Sequence, residues 1–147
     1  MLALTNRLVF ETTRAPEFID ITDDVVRFVR ESHVRNGCVI IYSRHTTAAI
    51  KVNENEPLLL KDMEQFLERI APRDADYGHN DFSIRTVNLE EDDCPNGHAH
   101  CQHLLMSTSE TVPVIEGELQ LGRWQRVFLV ELDRPRTREV VLQALGE

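Results

Sequence analysis

A chain of 147 residues that is 41% hydrophobic and 28% charged is long enough to bury one proper core and ordinary in composition for a soluble globular domain. Its 25 acidic residues against 16 basic ones leave a net charge of −9, which argues against a broad electrostatic grip on nucleic acid or on an anionic membrane surface. Three cysteines without C-x-x-C spacing argue against a disulfide framework, and no apolar run reaches the length of a membrane span.

The first residues alternate apolar and polar like a strand, predicted over 3–12. They lack the basic start and apolar block of a signal peptide, so a cytoplasmic protein is expected. After Pro16, Thr22 reads as a helix N-cap, Asp23 and Asp24 as its acidic first turn, and Val25, Val26, Val29 and Val34 recur at helical spacing; Asn36-Gly37 supplies a stop. CVIIYS (38–43), opened by Cys38 as a small buried hydrophobe, and Thr46–Asn53 are strands, joined through Ser43-Arg44-His45. A second helix has Asn55 as its expected cap and Leu59, Leu60, Met63, Phe66, Leu67 and Ile70 as one apolar stripe, ending at Ala71-Pro72.

Residues 72–97 are rich in Asp, Asn, Gly and Pro, with only Phe82–Val87 weakly strand-like; a loop this long in a compact domain tends to be functional. A helical turn is predicted around His98–Met106. Four strand signals close the chain: TVPVIEG, ELQLG, RWQRVFLVELD and REVVLQALG. Trp124, at the head of the third, reads more readily as core than as a ligand platform. Helices in the first two thirds and strands at the end make this an α+β fold, a single domain over residues 1–147 with mixed or antiparallel sheets and two main helices.

The stretch HTTAAIKVNENEP (45–57) asks for more than packing. Period-two alternation puts Ala48, Ile50 and Val52 on one face, and His45, Thr47, Ala49, Lys51 and Asn53 on the other. A half-solvated strand explains this; so does the wall of a polar pocket. Imidazoles elsewhere widen the choice. The run DDCPNGHAHCQH (92–103) offers Cys94, His98, His100, Cys101 and His103 to a zinc ion without matching a standard zinc spacing. His100 and His103 share a helical face, and His103 reads as a surface or interface histidine. Convergence of His45, His79 and His100 is a further possibility. No G-x-S-x-G elbow, Walker loop or G-x-G-x-x-G occurs.

HTTAAIKVNENEP, DYGHNDFSIRTVNL (76–89), NGHAHCQHLL (96–105) and PVIEGELQLGRWQRVFLVELDRPRTREVVLQALGE (113–147) together resemble the YjbQ family of small cytosolic proteins, described either as uncharacterised conserved proteins or as secondary thiamine-phosphate synthases. The resemblance runs in register from about residue 38 to the end. It implies an α+β homotrimer with polar pockets near subunit boundaries. The family's recurrent polar positions fall on His45, Asn53, Glu54, His79, His100, Gly122, Trp124 and Gln125. Where many relatives carry a lysine two residues after the third-motif histidine this chain has Gln102, which removes a candidate phosphate-binding cation. Ser107 replaces a frequent glycine.

The implied activity condenses hydroxymethylpyrimidine diphosphate with thiazole phosphate. On that reading Glu54, Asn53 and Gln125 are the catalytic residues. Lys51, Arg44 and Thr47 hold the phosphorylated substrate, and His45, His79 and His100 hold a divalent metal, Mg or Zn. The N-terminus of the second helix offers free N–H groups to a phosphate. Two other functions use the same residues: a trimer that binds a metal or small anion without turnover, and a metal-dependent phosphate-ester hydrolase.

Overall fold

A computed structural model describes residues 1–147. In chain order the elements are β1 (Leu2–Glu11), β2 (Glu17–Asp20), α1 (Thr22–Ser32), β3 (Gly37–Ser43), β4 (Ala48–Glu54), α2 (Pro57–Ile70), a single 3₁₀ turn (Gly78–Asn80), α3 (Gly97–His103), β5 (Ser109–Ile115), β6 (Glu118–Leu119), β7 (Gln125–Glu131) and β8 (Thr137–Gly146). The α+β expectation is met. A five-stranded sheet runs β1-β8-β3-β5-β6 and a three-stranded sheet β2-β7-β4, every pairing antiparallel. No helix is long and apolar enough to cross a membrane.

Both sheets contribute to one core. Val39, Ile41, Val140 and Leu142 of the larger sheet meet Ala48, Ile50, Val127 and Leu129 of the smaller one, with Val25, Phe28 and Val29 of α1 in the same cluster. A smaller cluster of Leu67, Ala99, Phe128, Val130 and Leu132 lies on the other face of β7, under α2 and α3. β7 is therefore buried on both faces, which is why VFLV is a continuous apolar run rather than an alternating one.

That second layer corrects the reading of β4. Its supposed polar face is covered: Ala49 is as fully buried as Ala48 and Ile50, and the Asn53 Nδ2 donates to Met63 Sδ of α2 at 3.4 Å. The strand also starts two residues later than predicted, because Arg44–Thr47 carries the chain from one sheet to the other. Ser43 Oγ holds that passage by donating to the Ala48 carbonyl at 2.7 Å.

The helix caps differ from expectation as well. Thr22 is the first residue of α1, and the Asp20 carboxylate accepts from its N–H at 3.0 Å and its hydroxyl at 2.6 Å. α1 ends at Ser32, four residues before Asn36, because His33 turns into the left-handed region at φ 58°. Glu56, not Asn55, caps α2: its carboxylate accepts from the N–H groups of Leu58 at 3.0 Å and Leu59 at 2.7 Å. Asn55 instead donates to Asp20 at 2.9 Å. Of the α2 stripe only Leu67 is fully buried, while Phe66 and Ile70 stay exposed. Residues 82–87 form turns and no strand. The short β2 escaped notice because four residues before a helix carry no periodicity of their own.

Candidate functional site

The passage between β3 and β4, the long loop, α3 and the β7–β8 turn meet at one end of the smaller sheet. Between them lies a pocket of about 300 Å³ whose nine lining residues are all polar: Thr46, Thr47, His79, Arg85, Asn88, Asp93, Asn96, His100 and Arg136. A second cleft of about 570 Å³ adjoins it, sharing Thr46 and His100, with Tyr42, Arg44, His45, Cys101, His103 and Leu104 among its walls.

Each wall has a local cause. Gly97 starts α3 because nothing larger fits there: a Cβ would lie 2.6 Å from Tyr77 Cβ, and the Gly97 N–H donates to Asn80 Oδ1 at 2.8 Å. Arg85 folds the long loop around itself. It donates to the carbonyls of His79 at 3.3 Å, Val87 at 3.4 Å and Asn88, and to Asp93 Oδ2 at 2.9 Å. Most of its donors are thus committed to the loop. Arg136 is differently placed: Nη1 donates to Asp133 Oδ2 at 3.1 Å, while Nε and Nη2 make no hydrogen bond within the chain. Thr47 is held from behind, its hydroxyl accepting from Arg138 Nη2 at 2.8 Å and its carbonyl from the Leu132 N–H at 3.1 Å.

The surroundings of His100 and His45 disfavour their charged forms. Burial lowers the pKa of His100, assisted by neighbouring His79, whose ring stands edge-on with centroids 4.7 Å apart. Burial, then the charges of Arg138 and Arg136, lowers that of His45. His45 Nε2 accepts the Glu139 backbone N–H at 2.9 Å, so Nδ1 carries the proton and Nε2 is already occupied.

The expected metal triad does not assemble within the chain. His79 and His100 touch, and His100 shares the larger cleft with His45, yet no three His, Cys, Asp or Glu side chains gather in a ligating arrangement. The pair falls short of the three protein ligands that a catalytic zinc takes, and no chemical step is assigned to a metal. Nor does the 92–103 run form a centre. Cys94 is exposed, His98 points into the interior, and His100 and His103 face the larger cleft. His103, read from the sequence as a surface or interface histidine, lines the same cleft as His45 and His100, because three-residue spacing on α3 puts it on the His100 face.

The expected catalytic residues are elsewhere. Glu54 pairs across the sheet with Gln125, and Asn53 with Arg126, at the opposite end of β4. Seven residues of extended chain separate Thr47 from Glu54, about 23 Å at 3.3 Å per residue. Gln125 Oε1 accepts the Gly122 N–H at 2.8 Å, closing the turn before β7. Trp124 is exposed rather than core, with the Arg123 guanidinium 4.6 Å from its ring centroid. Of the expected phosphate ligands, Thr47 lines the pocket and Arg44 the adjoining cleft, where it pairs with Glu139 at 2.9 Å. Lys51 lies along β4, outside both. Glu56 already occupies two N–H groups of α2, so that helix end is not open to phosphate. Gln102 faces inward and donates to the Ala71 carbonyl at 3.1 Å, so its substitution for lysine leaves the pocket walls untouched.

Sequence reasoning missed Arg85, Asn96 and Arg136. The signal available was an arginine in the long loop and two in the DRPR turn, but their convergence depends on how the loop folds.

The architecture defines a class: a two-sheet α+β domain with a polar, arginine-lined pocket at one end of its smaller sheet. Residues 6–147 match the family described as UPF0047 protein YjbQ-like, and the chain belongs to that family. A UPF0047 protein of Methanothermobacter thermautotrophicus is 41% identical over 147 residues, covering 100% of this chain and 95% of that one. The UPF0047 protein YugU of Bacillus subtilis is 34% identical, covering 95% and 97%. Among solved structures, a YbjQ-like protein of unknown function from Sulfolobus solfataricus aligns with a TM-score of 0.89 at 34% identity, over 99% of both chains. A hypothetical protein from Aeropyrum pernix gives 0.86 at 34% identity, over 98% and 99%.

Proposed function

We propose that the chain binds a phosphorylated small molecule in the pocket beside Arg136 and acts as a secondary thiamine-phosphate synthase-like transferase. One observation carries the reading: in a chain of net charge −9, an all-polar pocket presents Arg136 with a free guanidinium edge, and its single carboxylate, Asp93, is already paired to Arg85. A guanidinium edge suits two phosphate oxygens at once. In the condensation the thiazole nitrogen lone pair forms a C–N bond to the pyrimidine methylene carbon. The C–O bond to diphosphate breaks, and the diphosphate leaves with the electron pair. No proton moves, so no general base is required. The demand is for donors that stabilise charge growing on the leaving group, the role assigned to Arg136, Thr46 and the His79–His100 pair. The larger cleft, with Tyr42 and Leu104, takes the ring of a substrate.

A divalent ion belongs to this proposal as magnesium carried in on the diphosphate, since Mg²⁺ is commonly held by substrate phosphates with few protein ligands. The homotrimer belongs to it too. Phe66, Ile70, Leu104, Leu105 and Trp124 are exposed, apolar side chains that a subunit interface would cover.

The test is to incubate purified protein with hydroxymethylpyrimidine diphosphate, thiazole phosphate and Mg²⁺, and to follow thiamine phosphate and pyrophosphate together. Formation of both, lost in Arg136→Gln, supports the reading; neither product at any enzyme concentration overturns it. The edge-on His79–His100 pair favours one second reading, a metal-dependent phosphate-ester hydrolase. That activity would release orthophosphate from a simple ester, only with added metal.

A further inference from the structure

We propose that Asp133 is a positioning residue for the anion pocket, fixing Arg136 and Asn96 before a ligand arrives; the inference rests on reading that pocket as an anion site. Asp133 is 1% exposed and lines neither cleft. Its Oδ2 accepts from Asn96 Nδ2 at 3.1 Å, Arg134 Nη1 at 2.9 Å and Arg136 Nη1 at 3.1 Å. Two of those three donors are pocket walls. The backbone that carries this carboxylate is held on both sides: the Asp133 N–H donates to Glu131 Oε2 at 3.1 Å, and the Asp133 carbonyl accepts from Arg73 Nη2 at 2.9 Å.

Arg136 sits in a surface turn where its side chain would otherwise sample many rotamers. Anchoring Nη1 holds the guanidinium at the pocket wall with Nε and Nη2 unengaged, so the ordering cost falls on folding rather than on ligand capture. Asn96, which precedes α3, links the start of that helix to the same carboxylate. Through one oxygen, Asp133 therefore sets the spacing between the α3 wall and the β7–β8 wall.

Charge and geometry make opposite forecasts for Asp133→Asn. Removing a negative charge behind Arg136 would tighten the binding of an anion if only the field mattered. Losing a strong acceptor for three donors would loosen it if position matters. The experiment is calorimetric titration of pyrophosphate, without metal, into wild type, Asp133→Asn and Arg134→Ala. At least tenfold weaker binding is expected for Asp133→Asn. Less than threefold change is expected for Arg134→Ala, which touches the same carboxylate without lining the pocket. Equal or tighter binding by Asp133→Asn overturns the inference and leaves the anion site standing. Absence of pyrophosphate binding by wild type overturns both. Should Asp133→Asn fail to fold, NMR of the free wild-type protein decides. Slow rotation of the Arg136 guanidinium supports prior anchoring, and free rotation like that of an exposed arginine overturns it.

Discussion

Glu131 and Arg138 face each other as a two-pronged ion pair in the interior, Nε to Oε1 at 2.7 Å and Nη2 to Oε2 at 2.5 Å, with both residues no more than 2% exposed. The pair joins the ends of four strands, β1, β4, β7 and β8: Thr12 donates to Glu131 at 2.8 Å, Arg138 reaches Thr47, and the Leu132 and Asp133 N–H groups each donate to Glu131 at 3.1 Å. Removing one partner leaves a buried charge uncompensated. Arg138→Leu is therefore expected to cost about 3–5 kcal/mol in urea unfolding. A loss under about 1 kcal/mol, the range of exposed pairs, would show that water reaches the site.

At Gly97 the expected effect is steric. An alanine Cβ would meet Tyr77 at 2.6 Å and 2.8 Å, so either α3 or the Tyr77 ring must shift. Gly97→Ala should lose about 1–3 kcal/mol, as overpacked sites do, and displace the amide resonances of His98–His103. Unchanged resonances with full stability would mean that Tyr77 yields freely.

Asp20 carries the pH dependence with the clearest sign. Burial pushes its pKa up, but hydrogen bonds from Arg126, Thr22 and Asn55 outweigh burial and bring it down from 3.8 to about 2. A carboxylate with a depressed folded-state value stabilises the protein fully above its unfolded value. That contribution is lost as pH falls through the folded value, here between about pH 4 and pH 2. Asp20→Asn should thus cost about 1–2 kcal/mol at pH 7, discounted for the partial exposure of Arg126, and close to nothing near pH 2. A cost that is the same at both pH values would assign the effect to the Thr22 hydrogen bonds rather than to charge.

The fold was legible where periodicity is strong and faces are simple. The α2 stripe, the CVIIYS strand and the terminal RE-VV-LQ-AL alternation gave elements at nearly the right bounds. Covered faces were harder. Ala49 and Lys51 look like a solvated side until α2 and α3 lie over them, and nothing local in the sequence announces that layer. His45, Thr47, His79 and His100, which line the two clefts, stand out in the sequence because a histidine or threonine at a strand end or in a long loop is conspicuous. Glu54, Asn53 and Gln125 were grouped with them by motif, and a seven-residue strand separates the two sets. Asn96 meets Asp133 across 37 residues of chain, which spacing cannot express, and Arg136, three residues from Asp133, carries no local sign that its turn faces the long loop.

Where an anion settles on this chain tests the central claim most directly. Two sites compete: the Arg136 pocket and the N-terminus of α2, whose first N–H groups Glu56 already holds. Pyrophosphate titrated into ¹⁵N-labelled protein should shift the amides of Thr46, Thr47, Asn96 and Arg136 along one saturable curve and leave Leu58 and Leu59 in place. Saturable shifts confined to Leu58 and Leu59, or none at residues 46, 47, 96 and 136, would contradict the account.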